Sequence, residues 1–313
     1  MEHVASCVRI GVALTTLVAA LPSAAAAQQI PPLTERLVDV EGRQVQVWVG
    51  GPANSEGPVP VVIFENGWSG IASSWAKVAP EVARFARVLL YNRASHGRSE
   101  SDGQLPTPEH VARRLRALLK ALDIAPPYVL VGHSWGGPLI RAHAALYPEA
   151  VGGLVYVDPG LPCVLERAFE AAGFGDRASE FIERSQRPDA AGVRVGQVQS
   201  GQDTIRLALP DVPLVLLIGL KLDMQRPPRE WLRERGINAD TIIARAREQK
   251  VPCLSWLASE VPRGLLVVTP TSGHVVQQDD PELDHRFRDD ISIRQPRPCR
   301  TSSGRRQVSR SVR

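Results

Sequence analysis

A chain of 313 residues, 43% hydrophobic and 22% charged, has the composition of a globular protein with material for one large α/β domain or two small ones. Its formal net charge of +4 misleads: seven arginines and no acid lie between Arg294 and Arg313, so the rest of the chain sums to −3. A positive balance confined to a tail with almost no apolar residues argues against nucleic-acid binding by the folded part. Residues 294–313 are therefore expected to form a solvated, disordered extension.

In chain order, Arg9 precedes an apolar segment from Ile10 to Leu21, and Ala25-Ala26-Ala27 supplies small residues ahead of Gln28. This is the pattern of a secretory signal peptide over residues 1–27, whose apolar part is too short to span a bilayer comfortably. The expectation is an exported protein, periplasmic or secreted, without stable membrane insertion. Its folded domain would cover residues 28–293. Cys7 belongs to the leader, which leaves Cys163, Cys253 and Cys299. Three cysteines cannot all pair within one chain; a Cys163–Cys253 bridge is compatible with an oxidising compartment. No cysteines and histidines have structural-zinc spacing, so no metal is expected.

Leu37–Val40 and Gln44–Val49 flank Glu41-Gly42-Arg43 and read as an antiparallel hairpin. Short, continuously apolar runs follow at Val59–Phe64, Arg87–Tyr91, Tyr128–Val131 and Leu154–Val157, suited to strands buried on both faces of a parallel sheet. Helical patterns lie between them at Ser73–Phe85, Pro108–Leu122 and Trp135–Tyr147. Such alternation predicts a mostly parallel, doubly wound α/β sheet. The rhythm breaks from Gly160 to about Pro210, where polar, partly helical sequence reads as a small cap over the site. Strands resume at Pro213–Gly219 and Gly264–Val268, and there are no internal repeats.

Gly132-His133-Ser134-Trp135-Gly136 falls between a strand and a helix. A tight turn there leaves little room for Cβ two residues either side of the serine and lifts the hydroxyl clear of the sheet edge. A serine hydroxyl needs a general base. His274, in Ser272-Gly273-His274 after the last strand, is the candidate; His110, His143 and His285 fall on predicted helices and suit surface or packing roles. His133 belongs to the turn, where its side chain points away from the serine. Two N–H groups should meet a developing oxyanion: that of Trp135, beside the serine, and that of Trp68, in the loop Glu65–Gly70 at the end of the third strand. For the acid, Asp158 directly follows one strand and Asp223 lies in the loop after the next; Asp158 is preferred, with Asp223 as its alternative.

From about Val59 to Gly160 the chain resembles the α/β-hydrolase superfamily, in particular bacterial serine hydrolases with G-H-S-x-G-G turns. The resemblance is carried by Phe64-Glu65-Asn66-Gly67, by Tyr91 through Ser99, by Gly132 through Gly137, by Tyr147-Pro148-Glu149 and by Leu154 through Asp158. Ser272-Gly273-His274, followed by Asp280-Pro281-Glu282, matches the family's histidine region. Two departures stand out: Asn66-Gly67 where many relatives have His-Gly, and Asn92-Arg93 where they have Asp-Arg. The resemblance implies an acyl-enzyme hydrolase without metal or organic cofactor, cleaving an ester-type bond of a small, largely apolar substrate. Amide, lactone and carbon–carbon bond hydrolysis with the same residues remain alternatives, as does, less favoured, a hydrolase-fold binding protein without catalysis. Serine at the turn argues against the haloalkane dehalogenases and epoxide hydrolases, which carry aspartate there.

Overall fold

The computed structural model describes residues 33–52, 59, 61–185, 187–198, 207–222 and 226–282. The expected leader at 1–27, the tail at 294–313, and Asp223 and His285 lie outside the described residues. The strands are β1 (Thr34–Val40), β2 (Arg43–Gly50), β3 (Val61–Glu65), β4 (Arg87–Tyr91), β5 (Tyr128–His133), β6 (Val151–Val157), β7 (Leu214–Gly219) and β8 (Gly264–Thr269). They form one sheet in the order β1-β2-β4-β3-β5-β6-β7-β8, antiparallel at β1–β2 and β2–β4 and parallel from β4 to β8.

The continuous apolar runs are explained by a sheet covered on both faces. Ile63, Leu89, Leu130, Leu154 and Leu216 pack in one core layer, while Phe64, Leu90, Val131, Val155 and Leu217 pack in the other. Neighbouring residues along a strand point to opposite faces, so the central strands β3 to β7 are apolar at nearly every position, while the edge strands β1 and β8 are largely exposed.

The helices are α1 (Ala79–Val82), α2 (Pro108–Ala121), α3 (Gly136–Leu146), α4 (Cys163–Ala171), α5 (Ala178–Ser185), α6 (Arg226–Glu234), α7 (Ala239–Leu254), α8 (Trp256–Ser259) and α9 (Val276–Asp279). The helix expected over Ser73–Phe85 is a correction: a 3₁₀ turn at Ala72–Trp75 precedes the short α1. Pro80 sits at the start of α1; lacking an N–H, it cannot continue a helix arriving from upstream.

Phe169 of α4 and Phe181 of α5 share a buried cluster with Leu232 of α6, Ile237, and Ile242 of α7. The helical layer expected at about 160–210 thus packs as one body with helices that lie between β7 and β8. Cys163 of α4 is disulfide-bonded to Cys253 of α7, across 90 residues of sequence and a Cα–Cα distance of 6.2 Å.

Candidate active site

The turn between β5 and α3 is as crowded as its sequence implies. A Cβ on Gly132 would lie 2.5 Å from the Gly136 carbonyl oxygen, and one on Gly136 would lie 2.6 Å from that of Glu65. Ser134 has φ +52°, in the left-handed region that non-glycine residues avoid. Such strain costs roughly 1–3 kcal/mol and survives only where the surroundings over-determine it. Here the Ser134 N–H donates to Val157 O at 3.1 Å, and its carbonyl accepts from Gly137 N at 2.9 Å and Gly160 N at 3.0 Å. Gly160 also leaves space beside the hydroxyl: a Cβ there would lie 3.3 Å from Ser134 Oγ.

A chain of hydrogen bonds leads inward from that hydroxyl. His274 Nε2 is 2.9 Å from Ser134 Oγ, and His274 Nδ1 is 2.6 Å from Asp158 Oδ2. The outer end is open, with the His274 side chain 51% exposed, while the Asp158 side chain is 2% exposed. Asp158 Oδ1 accepts from the Gly219 N–H at 3.1 Å. Lys250, buried on α7, places its ammonium 2.8 Å from both carboxylate oxygens and donates to Gly219 O at 2.6 Å. Burial alone would raise the Asp158 carboxyl; the His274 hydrogen bond and the Lys250 charge outweigh it and hold the group below its ordinary value.

His133 supports the same loop from below. Its Nε2–H donates to the His274 carbonyl at 2.8 Å, consistent with a side chain turned away from the serine. Burial, reinforced by nearby His274, lowers its pKa to about 4, so the ring is neutral at neutral pH.

On the opposite flank, the loop after β3 is clamped by Arg93. The guanidinium donates to Glu65 Oε1 at 2.7 Å, Asn66 O at 2.8 Å, Gly67 O at 2.6 Å and Trp68 O at 2.7 Å. Because a trans peptide points its C=O and N–H in opposite directions, holding the Gly67 carbonyl aims the Trp68 N–H away from Arg93. A Cβ on Gly67 would lie 3.4 Å from Ser134 Cβ, so this loop closely approaches the serine. Tyr91 donates to the second Glu65 oxygen.

The two departures from the family pattern have structural uses. Asn66 donates from Nδ2 to Tyr91 O at 3.0 Å and accepts from Ser74 Oγ at 3.0 Å. Asn92 accepts from Ala72 N and donates to Gln46 Oε1, both at 2.8 Å.

The Trp135 N–H belongs to the amino end of α3, where the first N–H groups lack partners within the helix. The Trp68 and Trp135 rings meet edge-on with centroids 5.4 Å apart, and Val193, Val195 and Val198 pack against them. Trp68 Nε1 also donates to Arg187 O at 2.9 Å, which ties the loop to the segment after α5.

Ser134, His274, Asp158, Trp68 and Trp135 therefore converge at one end of the sheet. Of the other histidines, His143 is fully buried and His110 pairs with Asp102 at 2.8 Å, as packing and surface roles predict. Lys250 and Arg93 were not anticipated. For Lys250 a signal exists: Ile242, Ala246, Lys250, Cys253 and Leu254 share the buried stripe of α7, so a lysine sits on an apolar face. Among the described residues, no group of three or more metal-ligating side chains assembles and no helix is long and apolar enough to cross a membrane.

Residues 60–201 match the family model for the alpha/beta hydrolase fold. The chain is 29% identical over 100 residues to the uncharacterized protein YqjL of Bacillus subtilis, across 32% of this chain and 40% of that one. It is 25% identical over 258 residues to a haloalkane dehalogenase of Sphingobium indicum, across 77% of this chain and 80% of that one. The chain spans about two fifths of the length of the first curated relatives it matches. Naproxen esterase of Bacillus subtilis superposes with a TM-score of 0.53 at 16% identity, over 83% of this chain and 92% of that one. The sheet order, the strand–serine–helix turn and these matches agree: the chain has the α/β-hydrolase fold.

Proposed function

We propose that the protein is a serine hydrolase that cleaves an ester-type bond of a small, largely apolar substrate. The observation that carries this reading is the linked pair of hydrogen bonds, Ser134 Oγ to His274 Nε2 at 2.9 Å and His274 Nδ1 to Asp158 at 2.6 Å. In the reaction, Ser134 Oγ attacks the carbonyl carbon as His274 Nε2 takes its proton. The negative charge that forms on the carbonyl oxygen is met by the Trp68 and Trp135 N–H groups, and Asp158 stabilises the imidazolium. His274 returns the proton to the departing alcohol, leaving Ser134 acylated. Water, deprotonated by His274, then attacks the acyl carbon, releases the acid and restores the serine. No step requires a metal or an organic cofactor.

The apolar preference is supported by the wall of Trp68, Trp135, Val193, Val195 and Val198 beside the serine. Helices α4 and α5 would serve as the cap that selects substrate. Serine in place of aspartate speaks against halide displacement, despite the similarity to a dehalogenase. Export is supported by the leader-like residues 1–27 and by the Cys163–Cys253 bridge, which suits an oxidising compartment.

The test is fluorophosphonate labelling read by intact mass, together with turnover of p-nitrophenyl esters, lactones and amides. One adduct on the wild type, none on Ser134→Ala, and ester turnover lost in that variant are expected. Labelling that survives Ser134→Ala unchanged would remove the serine from its role.

A further inference from the structure

The hydrogen-bonded chain does not end at Asp158. Lys250 Nζ lies 2.8 Å from both Asp158 oxygens and 2.6 Å from Gly219 O, and the lysine side chain is 5% exposed. Nothing in the serine–histidine–aspartate reaction calls for a cation behind the acid. The Gly219 N–H also donates to the carboxylate at 3.1 Å, so the end of β7 and α7 grip it together. The helix that delivers Lys250 is anchored one turn further on, where Cys253 is bonded to Cys163.

We propose that Lys250 is a positioning residue for the Ser134 chemistry, acting through Asp158 in two ways. It fixes the carboxylate in the orientation that accepts the His274 Nδ1 proton, and its positive charge tempers the field that Asp158 exerts on the imidazole. A lone buried carboxylate would favour the imidazolium strongly and leave the base protonated at higher pH. Paired with an ammonium, it still orients the ring and stabilises the imidazolium less. Other charged or titratable groups around His274, among the described residues, are neutral His133 of β5, in contact with the His274 carbonyl, and Asp279 of α9, which accepts from the Gly273 N–H at 2.7 Å. Neither touches Asp158 in place of Lys250.

This inference rests on the proposed serine mechanism, and the experiment separates the two. Record kcat and KM on one p-nitrophenyl ester against pH for wild type, Lys250→Met, Lys250→Gln and Lys250→Arg, with circular dichroism to establish folding. A wild type without Ser134-dependent turnover overturns the serine mechanism itself. If the wild type turns over, the neutral variants should move the acid limb of kcat/KM upward by about two pH units, the size expected for removing a charge some 5 Å from the ring at an effective dielectric of about 20. Lys250→Arg keeps the charge but not the geometry of a compact ammonium. It should retain the acid limb and KM while kcat falls about tenfold. Neutral variants that fold and keep the wild-type acid limb overturn the electrostatic role. Should neither neutral variant fold, Lys250→Arg decides: unchanged kcat, or a loss confined to KM, overturns the proposal.

Discussion

Two buried ion pairs flank Ser134, and they do different work with different cations. Under the β3 loop, Arg93 spreads its planar fork over the Glu65 carboxylate and the carbonyls of Asn66, Gly67 and Trp68. Beneath His274, Lys250 concentrates a compact ammonium on the Asp158 carboxylate and the Gly219 carbonyl. The first cation fixes a stretch of backbone, which needs several donors in a rigid array. The second fixes a single side chain, for which a point charge suffices. Breaking the first should therefore cost stability and loop geometry, and breaking the second should cost chemistry.

The largest effect is expected at Asp158. Asp158→Asn keeps the shape of the side chain but favours the wrong imidazole tautomer and leaves Lys250 without its counter-charge. In a serine protease the equivalent change lowers kcat by about four orders of magnitude. A loss of about that size is expected on an activated ester, with Asp223→Asn close to wild type. Near-normal turnover by Asp158→Asn, with Asp223→Asn crippled, would transfer the acid to the loop after β7.

Arg93→Met comes next. It leaves Glu65, whose side chain is 2% exposed, without its counter-charge and removes the guanidinium that the carbonyls of Asn66, Gly67 and Trp68 share. Breaking a buried pair by removing one partner costs about 3–5 kcal/mol. Urea denaturation should show a loss of that order. Arg93→Met/Glu65→Gln should recover part of it, because the uncompensated charge is gone. A lysine at 93 should not restore the fork. Arg93→Lys with wild-type stability and turnover would mean that charge alone, not the array of donors, holds the loop.

The contrast between the two pairs also explains how much of the molecule could be read in advance. The elbow was legible because a tight turn writes itself as two glycines around a serine, and each glycine meets backbone that a Cβ would strike. Buried parallel strands were legible because both faces are covered, which forces continuous apolar runs. β6 begins at Val151, three residues ahead of the apolar run at Leu154, because Gly152 and Gly153 carry no strand signal of their own. Choosing between Asp158 and Asp223 required knowing which carboxylate the β6 end delivers to His274. That is a tertiary fact, separated by 116 residues in sequence. Lys250 was legible only locally, as a charge on the apolar stripe of α7. Its partner lies 92 residues away, and spacing along a helix cannot name it.

The smallest expected effect sharpens the comparison from outside both pairs, by asking what acid does to the core that carries them. His133 underlies the His274 loop, and His143 on α3 is fully buried. Burial, as the leading cause, lowers each to about 4. Their unfolded values lie near 6.5, so between about pH 6.5 and 4 the unfolded chain binds more protons than the folded one. The stability tied to each neutral ring is therefore complete above about 6.5 and lost as pH falls toward 4, on the order of 3 kcal/mol per ring. Asp158, held below its ordinary value, loses its contribution only at lower pH, so the two windows separate. Urea midpoints measured from pH 7.5 to 4 should fall for the wild type and fall less steeply for His143→Leu, which packs against the same Tyr128 and Tyr147 rings without a proton to gain. Because His143 lies outside the hydrogen-bonded chain from Ser134 to Lys250, the acid limb of kcat/KM in that variant should coincide with wild type. An unchanged stability slope would show that His143 is not what acid attacks; a displaced kinetic limb would show that the core and the reactive chain are not as separate as the two ion pairs imply.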